Sequence, residues 1–71
     1  IVNNNNGERF DTYVIPGKRS SGEITVNGAA ARKVQVDDIL ILITYGFVSL
    51  KKSKSHNPTI IFPNEKTNLL K

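Results

Sequence analysis

The segment Val26-Asn27-Gly28-Ala29-Ala30-Ala31-Arg32 places a side-chain-poor turn directly after a strand-like stretch. Asn27-Gly28 accepts positive φ angles that other residues avoid. The alanines that follow leave their backbone N–H groups uncovered and begin a short helical turn. Several such donors can converge on one bound anion or carboxylate. The same pattern also serves as an ordinary strand–turn–helix connection that binds nothing, so the turn alone does not make a site. Upstream, Arg9 stands four residues before Tyr13 in the stretch Glu8–Ile15. Its guanidinium can hold a carboxylate through two parallel hydrogen bonds, or it can pair with the neighbouring Glu8 or Asp11. Tyr13, judged by its strand position alone, packs its ring.

The elements that would position these residues are short. Ile1-Val2 reads as the end of a strand, and Asn3–Gly7 as a turn in which Asn6-Gly7 favours a tight hairpin. Glu8–Ile15 reads as a strand, with Phe10, Thr12 and Val14 on one face and Arg9, Asp11, Tyr13 and Ile15 on the other. A polar, basic loop over Pro16–Gly22 leads to a short strand, Glu23–Val26, and then to at most two helical turns over Ala29–Val34. Asp37-Asp38 marks a turn into Ile39-Leu40-Ile41-Leu42-Ile43-Thr44-Tyr45. That run is apolar at odd and even positions alike, the pattern of a strand covered on both faces. Ser49–Asn57 reads as a charged loop, and Pro58–Phe62 as a strand with its proline at the start. Asn64–Thr67 reads as a turn and Asn68–Lys71 as a terminal strand or tail. The fold class is mainly β, a small barrel or sandwich fragment with one short helix after the Asn27-Gly28 turn.

Bulk properties narrow the function. The 71 residues allow one small domain with a modest core. The chain has no cysteine and a single histidine, His56, which excludes disulfides, thiolate metal sites and multi-histidine clusters. A small domain without such staples leans on a partner chain or an oligomer. Ten Lys and Arg against six Asp and Glu give a formal charge of +4, much of it in Lys51-Lys52-Ser53-Lys54. No aromatic residue interleaves those lysines to stack on bases, so they read as a solvated loop, not as a nucleic-acid or membrane patch. No apolar run reaches the roughly 20 residues of a membrane span, and no signal-peptide pattern is present. A cytoplasmic setting is the default. The chain begins at Ile1 instead of a methionine, which leads us to expect a piece of a longer protein or a processed product.

The residues Asn6, Gly7, Arg9, Phe10, Thr12 and Tyr13, followed at hairpin distance by Asn27, Gly28, Ala29, Ala30 and Ala31, resemble the aspartate 1-decarboxylase family, pyruvoyl-dependent enzymes that make β-alanine. The resemblance is close from Ile1 to about Tyr45 and loose from Gly46 onward. It implies a double-psi β-barrel, of which residues 1–71 would form the C-terminal part as a single domain, without the N-terminal strands and the self-cleavage site. It also implies a homotetramer with sites between subunits. Carried over residue by residue, Tyr13 is the proton donor, while Arg9 and the backbone of Gly28, Ala29 and Ala30 contact substrate. Thr12 contacts substrate or serves self-processing, although strand alternation sets it opposite Tyr13. Asn27 orients the pyruvoyl region or simply makes the turn. Asp37 stands where the family usually has glycine.

Loss of CO2 beside an amine needs an electron sink, which a carbonyl forming a Schiff base with that amine provides. The family derives this carbonyl from a serine by spontaneous cleavage of a Gly-Ser bond. The glycines here are followed by Glu8, Lys18, Glu23, Ala29 and Phe47, so no Gly-Ser is present. The expected activity is therefore decarboxylation of L-aspartate in pantothenate biosynthesis, with a segment outside this sequence carrying the pyruvoyl group and with no metal. The alternative is a catalytically inactive β-barrel remnant that acts as a binding or interaction module. An RNA-binding barrel would need exposed aromatics on a strand face. Most of Phe10, Phe47, Phe62, Tyr13 and Tyr45 read as buried.

Overall fold

The computed structural model describes residues 1–70. Strand β1 (Val2–Asn3) pairs antiparallel with β2 (Leu40–Ile41), Val2 opposite Ile41 and Asn3 opposite Leu40. The other edge of β1 is also used, because Val2 forms an antiparallel bridge with Arg9. The Asn3 N–H donates to the Glu8 carbonyl at 2.8 Å, and Ile1 and Phe10 exchange two bonds of 2.8 and 3.0 Å. β1 is thus the middle of three short segments. A 3-10 helix covers Gly28–Lys33, and one α-helical turn, α1, covers Leu50–Ser53.

The first turn forms where the asparagines and Gly7 favour it. Gly7 donates to the Asn3 carbonyl at 2.9 Å with its φ at +76°, a conformation that glycine adopts without strain. The helix after Asn27-Gly28 also forms, as the tighter 3-10 type suited to a short run. Ser49–Asn57 is not wholly loop: the Ser49 hydroxyl accepts from the Lys52 N–H at 3.2 Å and starts α1. Serine caps of this kind nucleate a turn when helix-tolerant residues follow.

The strands are shorter than their patterns suggest, and the register gives the reason. Antiparallel pairing of Val2 with Arg9 puts Ile1 opposite Phe10, and pairing of Val2 with Ile41 puts Ile1 opposite Leu42. Asp11–Ile15 and Ile43–Tyr45 therefore lie past the residues that β1 and Ile1 oppose. Neither stretch forms a ladder among the described residues. Glu23–Val26 and Pro58–Phe62 also lack ladder partners, and residues 68–70 form no strand; the remainder of that expected tail, Lys71, lies outside the described residues.

No hydrophobic residue is buried among those described, and Ile39, Ile41 and Ile43 are each about half exposed. The apolar run expected to be covered on both faces is therefore open among the described residues. The expected burial of the aromatics fails as well, with Tyr13 79 % and Phe47 fully exposed. The accessible surface is 7172 Å², against about 4400 Å² for a compact protein of this mass. The radius of gyration is 14.4 Å, against about 11 Å for a compact domain of this length. The architecture is a partial β fold with its apolar surface outward.

Candidate active site

The hairpin and the helix are held together at one place. Lys33, the last residue of the 3-10 helix, accepts on its carbonyl from Asn3 Nδ2 at 3.0 Å and Asn6 Nδ2 at 2.9 Å. Its ammonium lies 3.3 Å from the Glu8 carboxylate and 6.0 Å from the centre of the Phe10 ring. The ion pair is half exposed and contributes little by itself. Its consequence lies in the partner it removes. With Glu8 engaged by Lys33, no carboxylate among the described residues is within ion-pair distance of Arg9.

Arg9 and Thr12 line one cleft of about 410 Å³, together with Ile1, Val14, Ile43 and Tyr45. Tyr13 is not part of its wall. This differs from strict alternation, which groups Arg9 with Tyr13 and sets Thr12 opposite. The pleat is enforced only by a ladder, and the ladder ends at Phe10. A hollow of similar size is lined by Phe62–Lys66 alone and gathers no reactive groups from elsewhere in the chain.

The Asn27–Ala30 turn stands apart from the cleft. Asn27 caps the helix with extended backbone (φ −105°, ψ 161°), and its side chain makes no capping bond. Gly28 has φ +69° and open space where a Cβ would stand, so it is needed for its backbone angle and not for room. Ala29 is exposed and Ala30 half-buried. A 3-10 helix rises about 2 Å per residue, which carries Gly28 on the order of 10 Å from the anchored Lys33. A single chain thus joins Arg9 to Thr12 and ties the helix to the hairpin, but leaves Tyr13 and the Asn27–Ala30 turn outside the Arg9 cleft.

Sequence reasoning overlooked Asn3, Lys33 and Asp38. The run Asn3-Asn4-Asn5-Asn6 was the available signal, being richer in amide side chains than one turn requires. No group of three or more His, Cys, Asp or Glu among the described residues is arranged to hold a metal ion. No described helix is long and apolar enough to cross a membrane.

The family model for aspartate decarboxylase matches residues 1–70, so the likeness continues well past the motifs that end near Ala31. The aspartate 1-decarboxylase of Christiangramia forsetii is 63 % identical over 71 residues, covering 100 % of this chain and 61 % of that protein. That of Bacteroides fragilis is 57 % identical over 68 residues, 96 % of this chain and 58 % of its own length. That of Heliobacterium modesticaldum is 54 % identical over 70 residues, 99 % of this chain and 53 % of its own. The chain spans about three fifths of the first two relatives. A match of this extent along the chain, on a hairpin and turn built as described, makes the chain a member of the aspartate decarboxylase family.

Proposed function

We propose that this chain supplies the carboxylate-binding and proton-donating part of an enzyme that removes the C1 carboxylate of L-aspartate, giving β-alanine and CO2 for pantothenate synthesis. The observation that carries the reading is the Arg9 guanidinium, without a carboxylate partner among the described residues, at a cleft it shares with Thr12. Arg9 grips a substrate carboxylate in bidentate fashion, and Thr12 contacts the same substrate or the processing site. The backbone of Gly28, Ala29 and Ala30 adds donors along the substrate. Tyr13 delivers a proton from its Oη to the carbon that has lost CO2, the general-acid role open to an exposed phenol brought against the reacting atom.

The residues present fit a pyruvoyl group. Asn27 offers an amide uncommitted to its own helix, and the neighbouring Gly28 backbone is open to close approach. When bound, the group supplies a carbonyl that withdraws electrons from the substrate amine. Its precursor Gly-Ser is not in this sequence, so it comes from polypeptide outside these residues. The unpaired walls Asp11–Val14 and Ile43–Tyr45 suit an added extended segment, and completion of a double-psi β-barrel by such segments is the architecture we propose. Residues 1–71 then form the C-terminal part of one barrel domain. Assembly as a cytoplasmic homotetramer, with Tyr13 and the Asn27–Ala30 turn facing a site between subunits, accounts for their lying outside the Arg9 cleft.

The test is made in a longer, pyruvoyl-bearing family protein containing this segment, processed to completion as shown by intact mass. Arg9→Ala should raise the KM for L-aspartate about tenfold or more, the usual effect of losing a charge-assisted bidentate contact, and Arg9→Lys should recover part of it. An unchanged KM in Arg9→Ala would remove Arg9 from the site. Failure of the unaltered protein to form β-alanine would remove the activity.

A further inference from the structure

Asn3 is the residue among those described that is fully buried, at 0 % exposure. A turn asparagine usually faces water, because a buried amide is tolerated only when its donors and acceptor are all engaged. The Asn3 amide is engaged throughout. Nδ2 donates to the Lys33 carbonyl at 3.0 Å and to Asp38 Oδ2 at 2.7 Å, and Oδ1 accepts from the Asn5 N–H at 2.9 Å. Asp38 Oδ2 accepts a second bond from the Gln35 N–H at 2.8 Å. The rest of the asparagine run continues the docking. Asn5 Oδ1 accepts from the Ile39 N–H at 2.7 Å, and the Asn4 N–H donates to the Ile39 carbonyl at 2.8 Å.

These bonds fasten the stretch Lys33–Ile39 to the hairpin turn. Lys33 ends the helix that begins at Gly28, and Arg9 lies on the hairpin arm that leaves the same turn. We infer that Asn3, through its two Nδ2 bonds to Lys33 and Asp38, is a positioning residue that fixes where the helix beginning at the Asn27–Ala30 turn sits on the hairpin whose arm carries Arg9. The inference rests on the site reading given under Proposed function. Turn formation alone does not require those two bonds. Asn64 builds a turn of the same kind, with its Oδ1 accepting from the Lys66 N–H at 2.8 Å and the Thr67 N–H at 3.2 Å. The acceptor of Asn3 makes the turn, and its donor group makes the dock.

Asn3→Asp separates the two roles. It keeps an oxygen for the Asn5 N–H and replaces the donor with an acceptor that faces the Lys33 carbonyl and the Asp38 carboxylate. The pair Asn3→Asp with Asp38→Asn returns a donor and an acceptor to the node with reversed polarity. Both are made in the longer pyruvoyl-bearing family protein and read by amide hydrogen exchange and by L-aspartate kinetics. In Asn3→Asp, protection at Asn5 and Gly7 should persist, protection at Gln35 and Ile39 should fall at least about tenfold, and the aspartate KM should rise by about tenfold to a hundredfold with kcat nearly unchanged. The double variant should recover part of both losses. Unchanged protection at Ile39, or an unchanged KM with that protection lost, overturns the inference. If Asn3→Asp does not fold, Asp38→Ala decides, since it removes the oxygen that accepts from both Asn3 Nδ2 and the Gln35 N–H: weakened exchange protection at Gln35 with a raised KM supports the dock, and an unaltered KM overturns it. If the unaltered protein lacks aspartate turnover, the functional reading falls, whereas the exchange measurements still decide whether Asn3 docks the helix.

Discussion

Two turns in this chain are built alike and do different work. In the first, Asn3 donates to the Glu8 carbonyl at 2.8 Å and receives Gly7 on its own carbonyl at 2.9 Å, with Gly7 at φ +76°. In the second, Asn64 donates to the Leu69 carbonyl at 2.9 Å and receives Asn68 at 2.7 Å, with Asn68 at φ +59°. Each leading asparagine also accepts on Oδ1 from the N–H two residues ahead, at 2.9 and 2.8 Å. Glycine and asparagine are the residues that tolerate the left-handed fifth position. The turns part company in their surroundings. The first has a ladder partner in Leu40–Ile41 and a buried asparagine, while the flanks of the second pair with nothing in register. A turn is therefore a local property of its residues, and a β-ladder is a property of what lies beside it.

The widest test of that contrast concerns the chain as a whole. The accessible surface of 7172 Å² exceeds that of a compact protein by about 2800 Å², an excess on the scale of a large subunit interface. The isolated chain should be unfolded, aggregated or oligomeric. A monodisperse monomer with a cooperative melt in sedimentation and thermal unfolding would show that the open ladder edges need no partner.

Next in size is Tyr13, on the arm leaving the first turn. In the longer processed protein, Tyr13→Phe should lower turnover by roughly two to four orders of magnitude, with aspartate affinity and pyruvoyl content nearly unchanged. A substitution on the second turn, such as Asn64→Ala, should leave turnover intact. Near-normal turnover in Tyr13→Phe would return this ring to packing and erase the functional difference between the two arms.

The asparagines themselves give a smaller effect. Asn3→Leu removes one of two donors from the Lys33 carbonyl and one of two from Asp38 Oδ2, and takes the acceptor from the Asn5 N–H, at a buried position, and should cost about 2 kcal/mol or more of folding stability. Asn64→Leu removes bonds that water can replace, and should cost about 1 kcal/mol or less. Equal shifts in denaturant midpoint would mean that burial of Asn3 adds nothing to the turn.

The smallest difference concerns glycines. A Cβ on Gly22, at φ +71°, would run into the Thr67 carbonyl oxygen, in the stretch where Asn68 Nδ2 donates to the Gly22 carbonyl at 3.0 Å. Gly22→Ala should cost about 2–3 kcal/mol, or release the second turn from its seat with loss of amide protection at Asn68. Gly7→Ala meets open space and carries the left-handed penalty alone, about 1 kcal/mol. A larger loss for Gly7→Ala would reverse this ranking.

The sequence by itself determined the turns, the short helix and the family. Asn6-Gly7 and Asn27-Gly28 specify their backbone angles through the residues present, and the spacing from Asn6 to Ala31 carries the likeness that the match over residues 1–70 extends. Arg9 was legible as a candidate carboxylate ligand, although its choice among Glu8, Asp11 and an outside partner was not. Tertiary structure narrowed that choice by giving Glu8 to Lys33. It also decided how far each strand runs. Alternation in Glu8–Ile15 and apolarity in Ile39–Tyr45 record a capacity to pair, but hydrogen bonds form only where another segment stands in register. The burial of Asn3 was likewise outside any local pattern, because its partners at Lys33 and Asp38 are about thirty residues away along the chain. Contacts that close over such distances depend on the whole fold, whereas turns depend only on their own few residues.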